Sequence, residues 1–427
     1  MNRISLCEIV KSGEKVIYKF SFSEGLARYF SCNELEVTYS VNIESVPDSV
    51  LTVPFACSVI PLVWMTDSVL EVNSLDADYI DCLENVKNGY VTMFPEASFG
   101  GRLEIAVSEK NRPLDGSSVG AAFFSGGLDA VNTLIKHLDE PVELISIWGS
   151  DIPTDNENGW NELIRGIKYY SDTFDLKLNT VKSDFRRFDN ELNLNRDFTE
   201  ILKDSWWHGV KHGIALIGHA APLAYLNGWE SVYIASSNCP SDGLVRCASS
   251  PLIDNHIRFC GCQVVHDSYE DNRQDKAHNV VKYSVQSGKK LPLHVCWETD
   301  GGRNCCKCEK CYRTITSFLS EGVDPSDFGL ENWKVTLPKM RSELINRGQL
   351  TYWMYSTQWS HILNRICENQ KMLRKKPYWK HIKWLVNKNM GTEKALEPSR
   401  AFRFRQKIAS SPIGVPARRI KRFFKKR

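Results

Sequence analysis

The run Val119–Phe124 is wholly apolar or small and breaks directly into Ser125-Gly126-Gly127, after which residues 128–138 suit a helix. A short strand with no polar alternation is one buried on both faces, which is the habit of a parallel sheet with helices on both sides. The pattern then repeats. Glu143–Trp148, Leu176–Val181 and Ser231–Ala235 read as strands, and residues 159–173, 206–227 and Arg273–Val285 read as helices, the second weakened by Pro222 and several glycines. Strand–helix alternation of this kind predicts an α/β fold with a doubly wound, mostly parallel sheet.

The flanks read differently. Val16–Phe20 and Leu35–Tyr39 have the β-branched and aromatic content of strands, with a short helical stretch near residues 75–87. Asn111–Ser117 has linker chemistry. These signals divide the chain into an added β-rich N-terminal domain over 1–112, an α/β domain over 118–320, and a Trp-rich helical region over 321–427. The stretch Val53–Met65 is apolar but holds two prolines and Ser58, and falls short of the ~20 residues of a membrane helix. No transmembrane segment and no apolar leader are read, so the expected location is cytoplasmic.

In an open α/β sheet, ligands sit beyond the carboxyl ends of the strands. Ser125-Gly126-Gly127 occupies that place. Glycines let the backbone approach a ligand, and the unpaired N–H groups opening the next helix favour an anion. Ser125 adds a hydroxyl, and Asp129 falls in the first helical turn. A tight turn with an N-terminal acidic residue needs no ligand, so the turn alone does not decide. Neither a Gly-Lys-Ser/Thr ending nor G-x-G-x-x-G is present. Ser125-Gly126-Gly127-Leu128-Asp129-Ala130 resembles the SGGxDS signature of the PP-loop ATP pyrophosphatases, with Ala130 in place of the closing serine. The resemblance implies that Ser125, Gly126, Gly127, Leu128 and Asp129 bind the pyrophosphate part of ATP with Mg²⁺. It implies a HUP-like sheet and substrate activation by adenylation. Asp129 and Lys276 are the candidate catalytic residues, and Arg273 and Lys276 suit a phosphate or a carboxylate substrate.

The chain has 14 cysteines, five of them between 296 and 311. In a reducing compartment such clusters indicate metal or catalysis rather than disulfides. Cys296, Cys305, Cys308 and Cys311 have the x8, x2, x2 spacing of a tetrahedral Zn²⁺ site closed across Gly301-Gly302, with Cys306 outside it. Arg303, Lys307, Lys310 and Arg313 lie near enough in sequence to offset the thiolate charge. Free thiols, an iron–sulfur cluster or a redox pair are the alternatives. The scattered Cys7, Cys32, Cys57, Cys82 and Cys367 read as buried small hydrophobes. The spacing followed by Arg313 resembles the zinc site of the 7-cyano-7-deazaguanine synthases, PP-loop enzymes whose zinc site also follows the ATP domain. The resemblance covers residues 118–320, so the chain resembles a divergent branch with added flanks.

Between the motifs, Ser236-Ser237-Asn238, Asp242, Ser249–Asp254 and Val265-His266-Asp267 are polar and loop-like, candidates for ligand contacts or for ordinary capping. His208, His212 and His219 have helical spacing and read as packing residues rather than as a metal site. Residues 371–427 hold 19 Lys/Arg against Glu393 and Glu397, while the rest of the chain carries 35 basic and 49 acidic side chains. The closing Arg418–Arg427 mixes cations with aromatics and suits an anionic membrane surface or nucleic-acid phosphates, or serves only as a solubilising tail. The expected function is ATP-dependent activation of a small-molecule or conjugated carboxylate, or a carbonyl oxygen, releasing AMP and pyrophosphate. Amine or ammonia attack follows, giving an amide or a nitrile. A PP-loop tRNA sulfur transferase and a non-catalytic zinc-stabilised binding protein are the competing readings.

Overall fold

The computed structural model describes residues 1–114, 119–296, 298–299 and 303–387, with isolated positions 392, 396–398 and 403 beyond. Residues 115–118 of the expected linker, Gly301-Gly302 and the basic Arg418–Arg427 lie outside them. The chain forms two compact units. One holds Met1–Tyr283, and the other holds Ser284–Thr299 and the described residues from Asn304 on.

The first unit is built on one sheet of 11 strands. In chain order these are β1 (Arg3–Ser12), β2 (Lys15–Phe22), β3 (Glu34–Tyr39), β4 (Val69–Asp76), β5 (Arg102–Glu109), β6 (Val119–Phe123), β7 (Val142–Trp148), β8 (Leu178–Ser183), β9 (Trp229–Ala235), β10 (Arg258–Phe259) and β11 (Cys262–Asp267). Their spatial order is β10-β11-β9-β6-β7-β8-β3-β2-β1-β4-β5. The sheet is mostly parallel, with helices on both sides, and is compatible with a Rossmann-like fold. Five neighbouring strands, β11-β9-β6-β7-β8, form a wholly parallel set. β6 comes first in sequence and lies between β7 and β9, so the chain order reverses between β6 and β9. That reversal opens the crevice where doubly wound sheets bind ligands.

The boundary expected at residue 112 does not divide this fold. β3 pairs antiparallel with β8, from Val37↔Ser183 to Tyr39↔Val181, so the N-terminal strands extend the same sheet. β1, β2 and β3 form an antiparallel meander, and β4 and β5 join β1 in parallel. Alternating burial along β2 and β3 shows why the segment reads as strand, but pairing across 140 residues leaves no local mark.

The helices of the first unit are α1 (Asp48–Met65), α2 (Ala77–Met93), α3 (Leu128–Lys136), α4 (Glu157–Phe174), α5 (Glu191–Leu202), α6 (His212–Gly218), α7 (Ala221–Asn227) and α8 (Pro251–Asp254), with α9 (Arg273–Ser287) at the junction of the two units. α1 is the segment whose two prolines argued against a continuous helix. By length and composition it is apolar enough to cross a membrane, yet 89% of that stretch is buried inside the fold. Pro54 and Pro61 both sit inside it, and nearly every one of its side chains is buried. Interior prolines cost ~3 kcal/mol each, which burial on all sides offsets here. The helix expected over 206–227 is broken in two. Trp207–Lys211 is a wide turn that leads into α6, and Pro222 opens α7.

In the second unit α10 (Glu309–Ser320) is buried along almost its whole length. Glu309 accepts from Trp359 Nε1 at 2.8 Å, tying α10 to the helix Gln358–Glu368, and Arg313 Nε lies 3.4 Å from the same carboxylate.

Candidate functional site

The turn after β6 sits at the crevice. Phe124 N–H donates to Ile145 O at 2.8 Å, extending the pairing with β7 to the brink of the turn. Gly126 then has φ +71, a left-handed conformation that costs a Cβ-bearing residue ~1–2 kcal/mol. Gly127 caps α3 with no side-chain bond to the first helical turn, so the N–H groups there keep their capacity for an anion. Ser125 is exposed at the rim, while Gly126, Leu128 and Ala130 are buried.

Two cations from α9 converge on the second residue past the glycines. Arg273 Nη1 donates to Asp129 Oδ2 at 2.9 Å, and Lys276 Nζ lies 3.8 Å from Asp129 Oδ1. Lys276 also donates to the Ser236 carbonyl, at the carboxyl end of β9. Both cations are almost fully buried. Burial pushes the Lys276 ammonium below its ordinary value, against the pull of Asp129. Arg273 Nε and Nη2 are buried and have no hydrogen-bond partner among the described residues. Buried donors of this kind are costly unless something accepts from them. The arrangement is therefore a buried excess of positive charge beside an uncapped helix N-terminus, at the switch point of a parallel sheet. Neighbouring strands fix it. Ser236 N–H donates to Asp267 O at 2.9 Å, and Gly149 has φ +118 where a Cβ would lie 1.9 Å from Ser183 O.

The four cysteines singled out by spacing come together. Their ligand atoms all lie within 4.8 Å of one another. Cys296 and Cys308 Sγ are 4.0 Å apart, and Cys305 and Cys311 Sγ are 3.8 Å apart. Four thiolates at ~2.3 Å from a tetrahedral Zn²⁺ place their sulfurs about 3.8 Å from each other, so the donor set fits the ion. The backbone favours the charged form as well. Cys305 Sγ accepts from the N–H groups of Lys307 and Cys308 at 3.4 and 3.3 Å, and Cys308 Sγ caps α10 by accepting from Cys311 N–H at 3.5 Å. Hydrogen bonds from the other three thiols pull Cys296 far below the ordinary thiol value, while the same bonds push Cys308 and Cys311 above it. Cys296, Cys308 and Cys311 are buried, with Cys305 partly exposed. This cluster can hold a metal such as zinc. Cys306 stands outside it in a left-handed turn, φ +53, its thiol pushed up to about 11 by burial. None of the 14 cysteines is in a disulfide.

Other expectations fare unevenly. Cys57 and Cys82 are buried, but Cys7, Cys32 and Cys367 are exposed rather than packed in the core. His208, His212 and His219 were expected to pack. His208 and His212 stack, and burial holds His212 and His219 down to about 4. Asp254, in one of the stretches expected to contact a ligand or to cap, is fully buried. Its Oδ2 accepts from His266 Nδ1 at 2.8 Å and from Ser249 Oγ at 2.7 Å. Sequence reading missed this pair because both stretches read as polar loops, whereas Asp254 ends α8 and His266, twelve residues on, lies in β11.

The fold and sites thus define an α/β protein with a Rossmann-like, mostly parallel sheet and a separate four-cysteine cluster. No family model matches the chain, and no curated protein matches it.

Proposed function

We propose that the protein is an adenylating C–N ligase of the PP-loop type, similar to the 7-cyano-7-deazaguanine synthases, and that the glycine turn with Arg273 and Lys276 receives the phosphates of ATP. The observation that carries the reading is the convergence of two buried cations on Asp129 at the first turn of α3. Backbone N–H groups from Gly126 to Asp129 and the free edge of Arg273 supply donors to a polyphosphate, and Ser125 adds its hydroxyl. Asp129 is the carboxylate placed to help hold Mg²⁺ when the cations turn to the phosphates.

A carboxylate or carbonyl oxygen of the substrate attacks the α-phosphorus, pyrophosphate leaves, and an amine then displaces AMP from the activated carbon. No covalent enzyme nucleophile is required. Positioning and neutralisation of developing charge do the catalytic work, with Lys276 the buried cation nearest the reacting phosphates. Zn²⁺ in the cysteine cluster is assigned a structural role, because four protein thiolates leave no open position for a substrate. The sulfur-transfer reading needs a reactive thiol, and Cys306, the cysteine of the 296–311 stretch that stands outside the cluster, is buried and held protonated.

The test is a nucleotide-product assay over a panel of carboxylates that includes 7-carboxy-7-deazaguanine, with metal content measured on the same sample. Substrate-dependent release of AMP and pyrophosphate is expected. Release of ADP and phosphate overturns the reading.

A further inference from the structure

A cavity of about 350 Å³ lies beyond the carboxyl ends of β9 and β11, lined by Asn238, Leu244, Val245, Leu252, His266 and Tyr269 among others. It adjoins the cation site through one loop. Lys276 donates to Ser236 O, Ser236 Oγ donates to Asn238 O at 2.6 Å, and Asn238 lines the cavity. His266 is the imidazole on its wall, with its side chain only 3% exposed. Its Nδ1 faces Asp254 Oδ2 at 2.8 Å, and its backbone N–H donates to Asn255 Oδ1 at 2.7 Å. Asp254 is held in turn by Ser249 Oγ. Among the described residues Nε2 has no hydrogen-bond partner. A carboxylate on Nδ1 fixes the neutral tautomer that carries its proton there and leaves the Nε2 lone pair free. That is the build of a proton acceptor aimed at a bound group.

We infer that this cavity binds the nucleophile, an organic primary amine in its uncharged form, and that His266 Nε2 takes the proton the amine loses, with Asp254 orienting the ring. The inference rests on the adenylation reading and adds the second substrate's site to it. Two observations choose an amine with a carbon body. The volume is some tenfold the ~30 Å³ share of a water-sized molecule, so ammonia alone does not fill it. Among the described residues no carboxylate, Lys or Arg lines the wall, which disfavours both an ammonium ion and the carboxylate substrate. The carboxylate belongs with Arg273 and Lys276 instead. In the step itself the amine lone pair attacks the adenylated carbon and a C–N bond forms. The C–O bond to the phosphate breaks, AMP leaves with that electron pair, and the nitrogen's proton passes to Nε2, where Asp254 balances the imidazolium charge.

The experiment uses the full chain with ¹⁵N-labelled histidine and His266→Gln to assign the ring resonances. Wild type is expected in the Nδ1–H tautomer, and Asp254→Asn is expected to populate Nε2–H. Benzylamine at pH 9 should shift the His266 resonances, whereas ammonium at equal free-base concentration should not. A wild-type Nε2–H tautomer, or rings blind to benzylamine, overturns the inference without any catalytic assay. Under turnover, His266→Gln should lower the amide formed per AMP released by about 100-fold or more. An unchanged ratio overturns it, whereas the absence of any AMP-forming turnover strikes the adenylation reading alone and leaves the pocket to the resonance arms.

Discussion

Both candidate sites lie where the chain passes through a left-handed residue into a helix N-terminus, Gly126 before α3 and Cys306 before α10. They differ in what occupies the helix end. At α3 the first turn is uncapped and faces two buried cations, and the geometry is set by the parallel strands on either side. At α10 the cap is a ligand sulfur, Cys308, and the turn is held by N–H bonds to sulfur. The first site is shaped by its scaffold, which leaves the opening of α3 without a side-chain cap. The second is shaped by its own donors, four sulfurs within 4.8 Å of one another that can hold an ion. A scaffold-held site loses function when altered, while a donor-held site loses structure.

Metal removal is the strongest way to break that contrast. The full chain should carry one zinc, and chelation or Cys308→Ser should release it and strip amide-exchange protection from α10 far more than from β6, β7 and β9. Structural zinc contributes ~10–16 kcal/mol in small zinc domains, so the effect should be gross. If no metal co-purifies and a chelator leaves exchange in α10 unchanged, the cluster is only four free thiols.

The scaffold-held side has its own point of failure. Lys211 is fully buried and donates to Asp189, which is 5% exposed, and to the Phe185 carbonyl. Burial pushes Lys211 down and Asp189 up, so both resist ionisation that only their pairing supports. Lys211→Met leaves a buried carboxylate uncompensated and should cost ~3–5 kcal/mol in urea unfolding, with bound metal unchanged. A loss below ~1 kcal/mol would show that the sheet unit does not depend on this pair.

How much of this could be read beforehand follows from the same contrast. Cysteine ligands closely spaced in sequence announce themselves by number and interval, and all four meet as their spacing predicts. β6 is legible because it is a continuous apolar or small run, and β7 and β9 because Leu144–Trp148 and Val232–Ala235 are β-branched, aromatic and mostly apolar. The pairing of β3 with β8 is not, because alternation marks a half-buried strand without naming its neighbour. α1 escapes for the opposite reason. Buried on every face, it lacks a helical period, and its prolines mimic a break. Arg273 and Lys276 were recognisable as anion ligands, but their meeting with Asp129 depends on a contact across some 144 residues.

Function should separate from stability at Asp129. Asp129→Asn keeps the shape of the side chain beside Arg273 and removes its charge. Substrate-dependent release of AMP and pyrophosphate should fall ~10²–10³-fold. The same variant should retain its zinc, which a cysteine variant cannot. Undiminished turnover would remove Asp129 from the catalytic set.

The mildest test is acid, and it distinguishes the two modes of construction by their protons. His219 is fully buried in the sheet unit. Its Nδ1–H donates to Ala215 O at 2.6 Å, and its Nε2 accepts from Ser183 Oγ at 2.8 Å, so only the neutral ring fits. Burial holds it down to about 4, below the ~6.5 of an unfolded histidine. Above pH 6.5 both states are neutral and the full stability is present. As pH falls, the unfolded chain takes a proton first, and stability drains away until about pH 4, by up to about 3 kcal/mol. His212 follows the same sign. The cysteine cluster also weakens in acid, since its thiolates must be deprotonated to bind metal. His219→Gln should flatten the pH 4–6.5 slope of urea stability and leave the pH of zinc release where it was. If the slope persists in the variant, the acid sensitivity of the sheet unit does not come from this ring.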